Sequence, residues 1–388
     1  MNGISSDAKK LRDRIEESLI QQGFSVQGGR IGLPEHRDKS VLRRLHGEAV
    51  MERRRKAKPG LARKEAVLLE RIANGSAVTP EKVSPALVEV LRDSQDELLF
   101  RYAAVHWSIP VSSGYGRRLR YLVIDESTGC LIGILGLGDP VFSLKARDDW
   151  VGWDAGMRRE RLHHVLDAFV LGAVPPFSSL LFGKLMAMFC LSSEVLGRFE
   201  EKYAARESLI SGRALSGKIA MITTLSALGR SSVYNRLRGP DGEYYLRQVG
   251  RTRGWGDFHF SNGLYSEIIE YADEHCTRTA KHKKWGDGFR NRREVVKKVL
   301  PTLGLSAEWL NHGIQREVFV GPTASNTCEF LRGEDESLVS LARPASELFA
   351  WFRDRWMLPR STRHPGYRDF RREAYALWLS GERDAGTS

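Results

Sequence analysis

Apolar residues recur every three to four positions at Leu11, Ile15 and Leu19, and Ser5, Ser6 and Asp7 stand just ahead of them as capping side chains. The spacing predicts a helix, broken at Gly23, Gly28 and Gly29. A second helix is expected from about Val41 into MERRRKAKPG, where Pro59 and Gly60 stop it. Residues 61–74 and 80–104 predict two more, the latter opened by Thr79-Pro80-Glu81. From Arg117 the period becomes strand-like. LRYLVID (119–125), a turn at 126–129 and CLIGILGLG (130–138) predict a strand, a tight turn and a strand. Residues 158–172 begin as a helix and end in the apolar run LDAFVLGAV, an apolar strand ending near Val174. Pro175-Pro176 stops that run, and 178–204 is expected as one long helix. KIAMITTL (218–225) predicts a buried strand, SSVYNRL (231–237) a short helix or turn, and EYYLRQVG (243–250) another strand. The remainder reads as mostly helical, with breaks at Gly286, Gly304, Gly313 and Pro322.

Alternating strands and helices over about 117–260 argue for a mixed α/β sheet. The expected organisation is a basic helical region at 1–104, an α/β core holding the pocket at 105–262, and a basic, mostly helical region at 263–388. A length of 388 residues fits two domains or one large α/β domain with appendages. Hydrophobic residues make up 41% and charged residues 28%, which excludes a disordered or collagenous chain. No apolar run of about 18 residues is present, and the first residues lack the apolar core of a signal peptide. Cys130, Cys190, Cys276 and Cys328 lie far apart, without metal-ligand spacing. A cytoplasmic protein without a membrane partner is expected.

Charge sharpens the picture. Lys and Arg number 60 against 48 Asp and Glu, a net +12. The excess is clustered. Residues 1–65 hold 16 basic and 9 acidic side chains, 278–298 hold 9 and 2, and 353–372 hold 7 and 2. A mildly acidic body carrying three basic segments suits a phosphate backbone, although solubilising surface charge would look similar. Trp285, Phe289, Trp356 and Tyr367 punctuate the two later segments. Lys283, Lys284, Arg290, Arg292, Arg293 and Arg360 are the expected contacts to the DNA backbone.

Several segments carry a family resemblance. They include VSSGYGRRLRYLV (111–123), GILGLGDPVFSL (133–144), RDDWVGWD (147–154), RLHHVLDAFVLGAVPPFSSLLFGKLMA (161–187), TTLSALGRSSVYNRL (223–237), VGRTRGWGDFHF (249–260) and HGIQREVF (312–319). The sequence resembles the DruA proteins of Druantia anti-phage defence systems, over roughly residue 100 to the end. The resemblance implies an immunity protein acting on invading DNA, with other defence proteins as partners. A weaker one concerns order alone: strand pair, strand, long helix, strand, short polar turn and strand are similar to the acetyltransferase (GNAT-like) fold. That family holds the pyrophosphate of acetyl-CoA on a glycine-rich turn ahead of its long helix. Here the place reads PPFSSLLFGK, whose prolines offer no amide donors, so no cofactor is expected.

Five constellations could carry chemistry. Asp139, between Gly138 and Pro140, would present a carboxylate at a strand end, or merely cap a turn. Asp154 in RDDWVGWD is a reserve carboxylate or the N-cap of the following helix. Asp167, in an apolar run, is either paired or functional; Arg161 or Lys184 would be its structural partner. In LGRSSVYNRLRG, Ser232, Tyr234, Asn235 and Arg236 could grip a base, with Asn235 on its edge. Trp255, in GRTRGWGDFHF beside Arg251 and Arg253, could stack on it, whereas His259 reads as a core histidine. No paired ligands for zinc, no Walker A loop and no nuclease pattern is visible. The expectation is a DNA-binding defence protein that excises a modified base from double-stranded phage DNA. Asp139, Asp154 and Asn235 would serve catalysis. The alternative is a non-catalytic DNA-recognition subunit.

Overall fold

Helix α1 (Ser6–Gln22) forms where the apolar stripe places it. The Ser5 hydroxyl accepts the Ala8 N–H at 3.2 Å, and Gly23 closes the helix in the left-handed region at φ 99°. The computed structural model describes residues 5–34, 38–112, 114, 116–204, 206, 207, 212, 216–279, 289 and 291–378. A short hairpin, β1 (Ser25–Gln27) and β2 (Arg30–Gly32), precedes α2 (Lys39–Leu45), α3 (Gly47–Leu61) and α4 (Glu65–Glu70). The segment 80–104 is not one helix. Its first part forms β3 (Pro85–Glu89), and only α5 (Gln95–Ala104) is helical. Ser94 and Glu97 explain that start: Ser94 Oγ accepts the Glu97 N–H at 3.1 Å, and Glu97 accepts the Asp93 N–H at 2.7 Å.

β4 (Arg118–Asp125) and β5 (Cys130–Gly138) form the predicted hairpin. β5 is buried from Leu131 to Gly138, which explains its unbroken apolar run. α6 (Lys145–Val151) and α7 (Ala155–Arg161) lead to β6 (Val165–Ala173). The stretch expected as one long helix is divided into α8 (Phe182–Phe189) and α9 (Ser193–Tyr203), because Ser192 caps a new start by accepting the Val195 N–H. β7 (Met221–Leu225), β8 (Arg247–Arg251), α10 (Tyr265–His275) and α11 (Arg292–Thr302) follow. β9 (Glu317–Pro322) is a strand in the region expected to be helical, ahead of α12 (Thr327–Arg332), α13 (Ala345–Phe352) and α14 (Leu358–Arg363).

Seven strands make one mixed sheet in the order β3-β4-β5-β6-β7-β9-β8. Every neighbouring pair is antiparallel except β6 and β7. That parallel pairing lasts only from Val165–Met221 to Asp167–Thr223, although β6 continues to Ala173. The chain is thus mixed α/β.

α8, α9 and α13 cover one face of the sheet, burying Phe182, Leu185, Phe189, Phe199 and Phe352 against Leu135, Leu166 and Phe319. α4 and α5 pack on the other face of β4 and β5. α6 and α12 pack on that of β6, β7 and β9 through Val151, Phe330 and Leu331. A separate core joins α1 and α2 to α10, α11 and Trp309. Leu228, in the turn after β7, belongs to this second core, which brings the helical unit beside the β8–β9 edge.

Candidate functional site

The turn between β7 and β8 and the start of β9 build one polar cavity. Ser226 and Glu317 lock the two segments: the Glu317 N–H donates to Ser226 Oγ at 2.8 Å, and the Ser226 N–H to the Glu317 carbonyl at 2.9 Å. Gly229, at φ 69°, turns the chain back, and its carbonyl also receives the Glu317 N–H. Ser231 Oγ then accepts the N–H groups of Val233 and Tyr234, fixing the next bend. Arg236 takes φ 65°, a left-handed conformation that costs a non-glycine residue energy.

The cavity holds about 540 Å³ and is lined by Arg230, Asn235, Arg236, Tyr244, Leu246, Arg247, Gln248, Arg251 and Glu317. Four arginines and one carboxylate therefore share the lining. Glu317 is only 2% exposed, and its Oε2 accepts the Ser231 N–H at 2.8 Å and the Asn235 amide at 3.5 Å. The nearest cation to Oε1 is Arg251, at 4.0 Å. Arg247 lies 3.6 Å from Glu243 at the rim. Among the described residues, neither Arg230 nor Arg236 has a side-chain hydrogen-bond or ion-pair partner. An open site with this excess of forked donors suits phosphate oxygens.

The sequence-predicted residues divide sharply. Asn235 and Arg236 line the cavity, as does Arg251. Tyr234 does not. Its ring packs on Phe319 at 5.2 Å in the sheet core, and burial pushes its phenol well above the usual range. Ser232 and Trp255 are exposed outside the lining, and the Trp255 backbone bridges Asn311. Asp154 is the N-cap of α7, accepting the Met157 N–H at 2.8 Å.

Asp139 requires a correction as the working carboxylate. Arg117 holds it three ways, through Nη2 at 2.8 Å, Nε at 2.9 Å and the backbone N–H at 2.9 Å, while Nη2 also reaches the His163 carbonyl. Gly116 is confined by the same contact, since a Cβ there would lie 2.0 Å from Asp139 Oδ2. The carboxylate is a structural pin between the β4 entry and the β5 exit. Asp139→Ala should lower stability by roughly 2–3 kcal/mol, from orphaning a nearly buried guanidinium. It should leave the arginine-lined cavity, whose lining does not include Asp139, unchanged. Thermal melts beside binding isotherms check this; full stability with lost anti-phage protection would restore the catalytic reading.

Asp167 is paired with neither Arg161 nor Lys184. It accepts the Thr223 hydroxyl at 2.8 Å, and burial raises its carboxyl to about 6. Lys184 instead donates to the Val233 carbonyl at 3.1 Å. His259 is the expected core histidine, its Nε2 2.8 Å from the Trp309 carbonyl. Of the expected backbone contacts, Lys283, Lys284 and Arg290 lie outside the described residues. Arg292 stacks over Tyr265 at 4.0 Å, Arg293 is exposed beside it, and Arg360 donates to the Ser179 carbonyl. Sequence reasoning missed Arg230, Arg247 and Glu317. Among the described residues, no group of His, Cys, Asp or Glu is placed to hold a metal ion. No helix there is long and apolar enough to cross a membrane.

A family model described as Druantia protein DruA matches residues 36–333. The chain belongs to the DruA family. It is 41% identical over 361 residues to the Druantia protein DruA of Escherichia coli (strain UMEA 4076-1), covering 92% of this chain and 89% of that one. The family assignment makes it a Druantia anti-phage defence protein, as the sequence resemblance implies. No solved structure matches. The matched span contains the whole arginine-lined cavity, from Arg230 to Glu317.

Proposed function

We propose that this DruA-family protein recognises DNA for the Druantia system, seating a strand on the arginine-lined cavity. The carrying observation is the convergence of Arg230, Arg236, Arg247 and Arg251 from two chain segments on one open site. Each guanidinium offers a planar pair of donors to phosphate oxygens. The edge strand supports this arrangement: Gly250 follows a bulge in β8, and a Cβ there would lie 2.8 Å from that of Ala146 on α6. We favour recognition over base excision, because the carboxylate expected to drive excision is held by Arg117. Phage DNA and companion defence proteins are the partners this reading implies.

Salt titration of binding to a labelled strand tests it. Arg247→Ala and Arg230→Ala should each weaken binding irrespective of sequence and flatten the slope of log affinity against log salt. The change should be about 0.7–0.9 per lost phosphate contact. Binding that ignores salt, or variants with the wild-type slope, would overturn the proposal.

A further inference from the structure

The buried carboxylate inside the arginine ring needs a reason. A site built for phosphate alone gains nothing from Glu317, which repels the anion from within the cavity. Its burial is nearly complete, yet only Oε2 is well bonded, to Ser231. Oε1 has no donor within hydrogen-bond distance among the described residues, with Arg251 standing off at 4.0 Å. A ligand that completes the site must therefore bring negative charge for the arginines and hydrogen-bond donors for Glu317. A nucleotide brings both.

The bases differ in what they show a carboxylate. Guanine alone presents two adjacent donors, N1–H and the N2 amino group, on its Watson–Crick edge. Adenine and cytosine set an amino group beside a bare ring nitrogen, whose lone pair would face the carboxylate. Thymine sets one N–H between two carbonyls. Guanine also offers O6 and N7 to an arginine, and Arg251 stands next to Glu317. The cavity of about 540 Å³ is in the range that encloses one small ligand.

We infer that this site, on the DNA-recognition reading above, takes an unpaired guanine nucleotide. Glu317 Oε1 accepts both the N1 and N2 donors, and the surrounding arginines hold the flanking phosphates. Because a duplex occupies the Watson–Crick edge, the base enters from a single strand or after flipping out.

The test uses the full chain and labelled single strands of thymidines with one central guanine, inosine or adenine. Inosine lacks only the N2 amino group, so the wild-type protein reads the contact without any mutation. Guanine should bind roughly 10-fold tighter than inosine or adenine, the usual effect of leaving a buried polar partner unpaired. Glu317→Gln should erase the preference, whereas Arg247→Ala should weaken all three probes alike. Equal binding of guanine and inosine by the wild-type protein would overturn the guanine assignment while leaving DNA recognition intact. Binding to none of the strands would overturn the recognition reading itself.

Discussion

Acidification from pH 7 to pH 5 should unfold this protein before most of its carboxylates titrate. Five histidines, four buried and His106 half-buried, carry the effect. Burial lowers His46, His106 and His312 to about 3, and His164 and His259 to about 4. Neither ring nitrogen of His46 has a hydrogen-bond partner among the described residues, and its ring lies 4.0 Å from that of Phe258. His106 stacks on Tyr375 at 3.6 Å. In each case the folded pKa lies below the unfolded 6.5, so the unfolded chain takes up the proton first. Stability is fully present above about pH 6.5 and is lost as pH falls from there toward 3–4. Each group contributes up to about 1.4 kcal/mol per pH unit in that window, so five remove about 10 kcal/mol by pH 5. A loss of that size is comparable with the whole of a typical stability of roughly 5–15 kcal/mol. Asp167 works the other way: raised to about 6, it takes a proton in the folded state first, and offsets about one histidine. Circular dichroism melts between pH 7.5 and 5 should show the midpoint collapsing, and His46→Phe should flatten the slope by one proton. A constant midpoint across that range would refute the account.

Where local pattern and tertiary placement agree, the sequence is easily read. α1 has its cap, its stripe and its terminal glycine, and β5 has an apolar run that only a doubly covered strand needs. β3 and β9 are different. EVFVGP is six residues long, and its strand state comes from insertion between β7 and β8, a pairing that no local period announces. The cavity suffers the same difficulty, because its carboxylate on β9 lies 82 residues from Asn235. The fate of Asp139 was nearer to hand. Arg118 pairs with Gly138 in the β4–β5 hairpin, and one further step of that register sets Arg117 opposite Asp139. A predicted hairpin thus already contained the ion pair that fixes this carboxylate.

Arg147→Met should be the most damaging single change near the sheet edge, at about 3–5 kcal/mol. The Arg147 side chain is fully buried, and its guanidinium reaches Asp148 Oδ1 through Nε at 2.8 Å and Nη2 at 2.6 Å. Nη1 donates to the Val141 carbonyl at 3.0 Å and Nη2 to the Phe142 carbonyl at 3.1 Å. One cation therefore satisfies a buried acid and clamps the loop after Asp139, whose Val141 and Phe142 side chains point to solvent. Methionine fills the volume but takes from Asp148 one of its two cations and leaves Oδ1 without a donor, while Oδ2 keeps Arg158 at 3.0 Å and the Leu144 N–H. The damage should spread along α6, because Ala146 packs on Gly250 of β8. Hydrogen exchange should accelerate at 247–251, beside the cavity. Adding Asp148→Leu to Arg147→Met should recover much of the stability, since an apolar pair costs less than an orphaned buried charge. If the double variant is no more stable than the single one, carbonyl clamping rather than charge pairing holds this corner together.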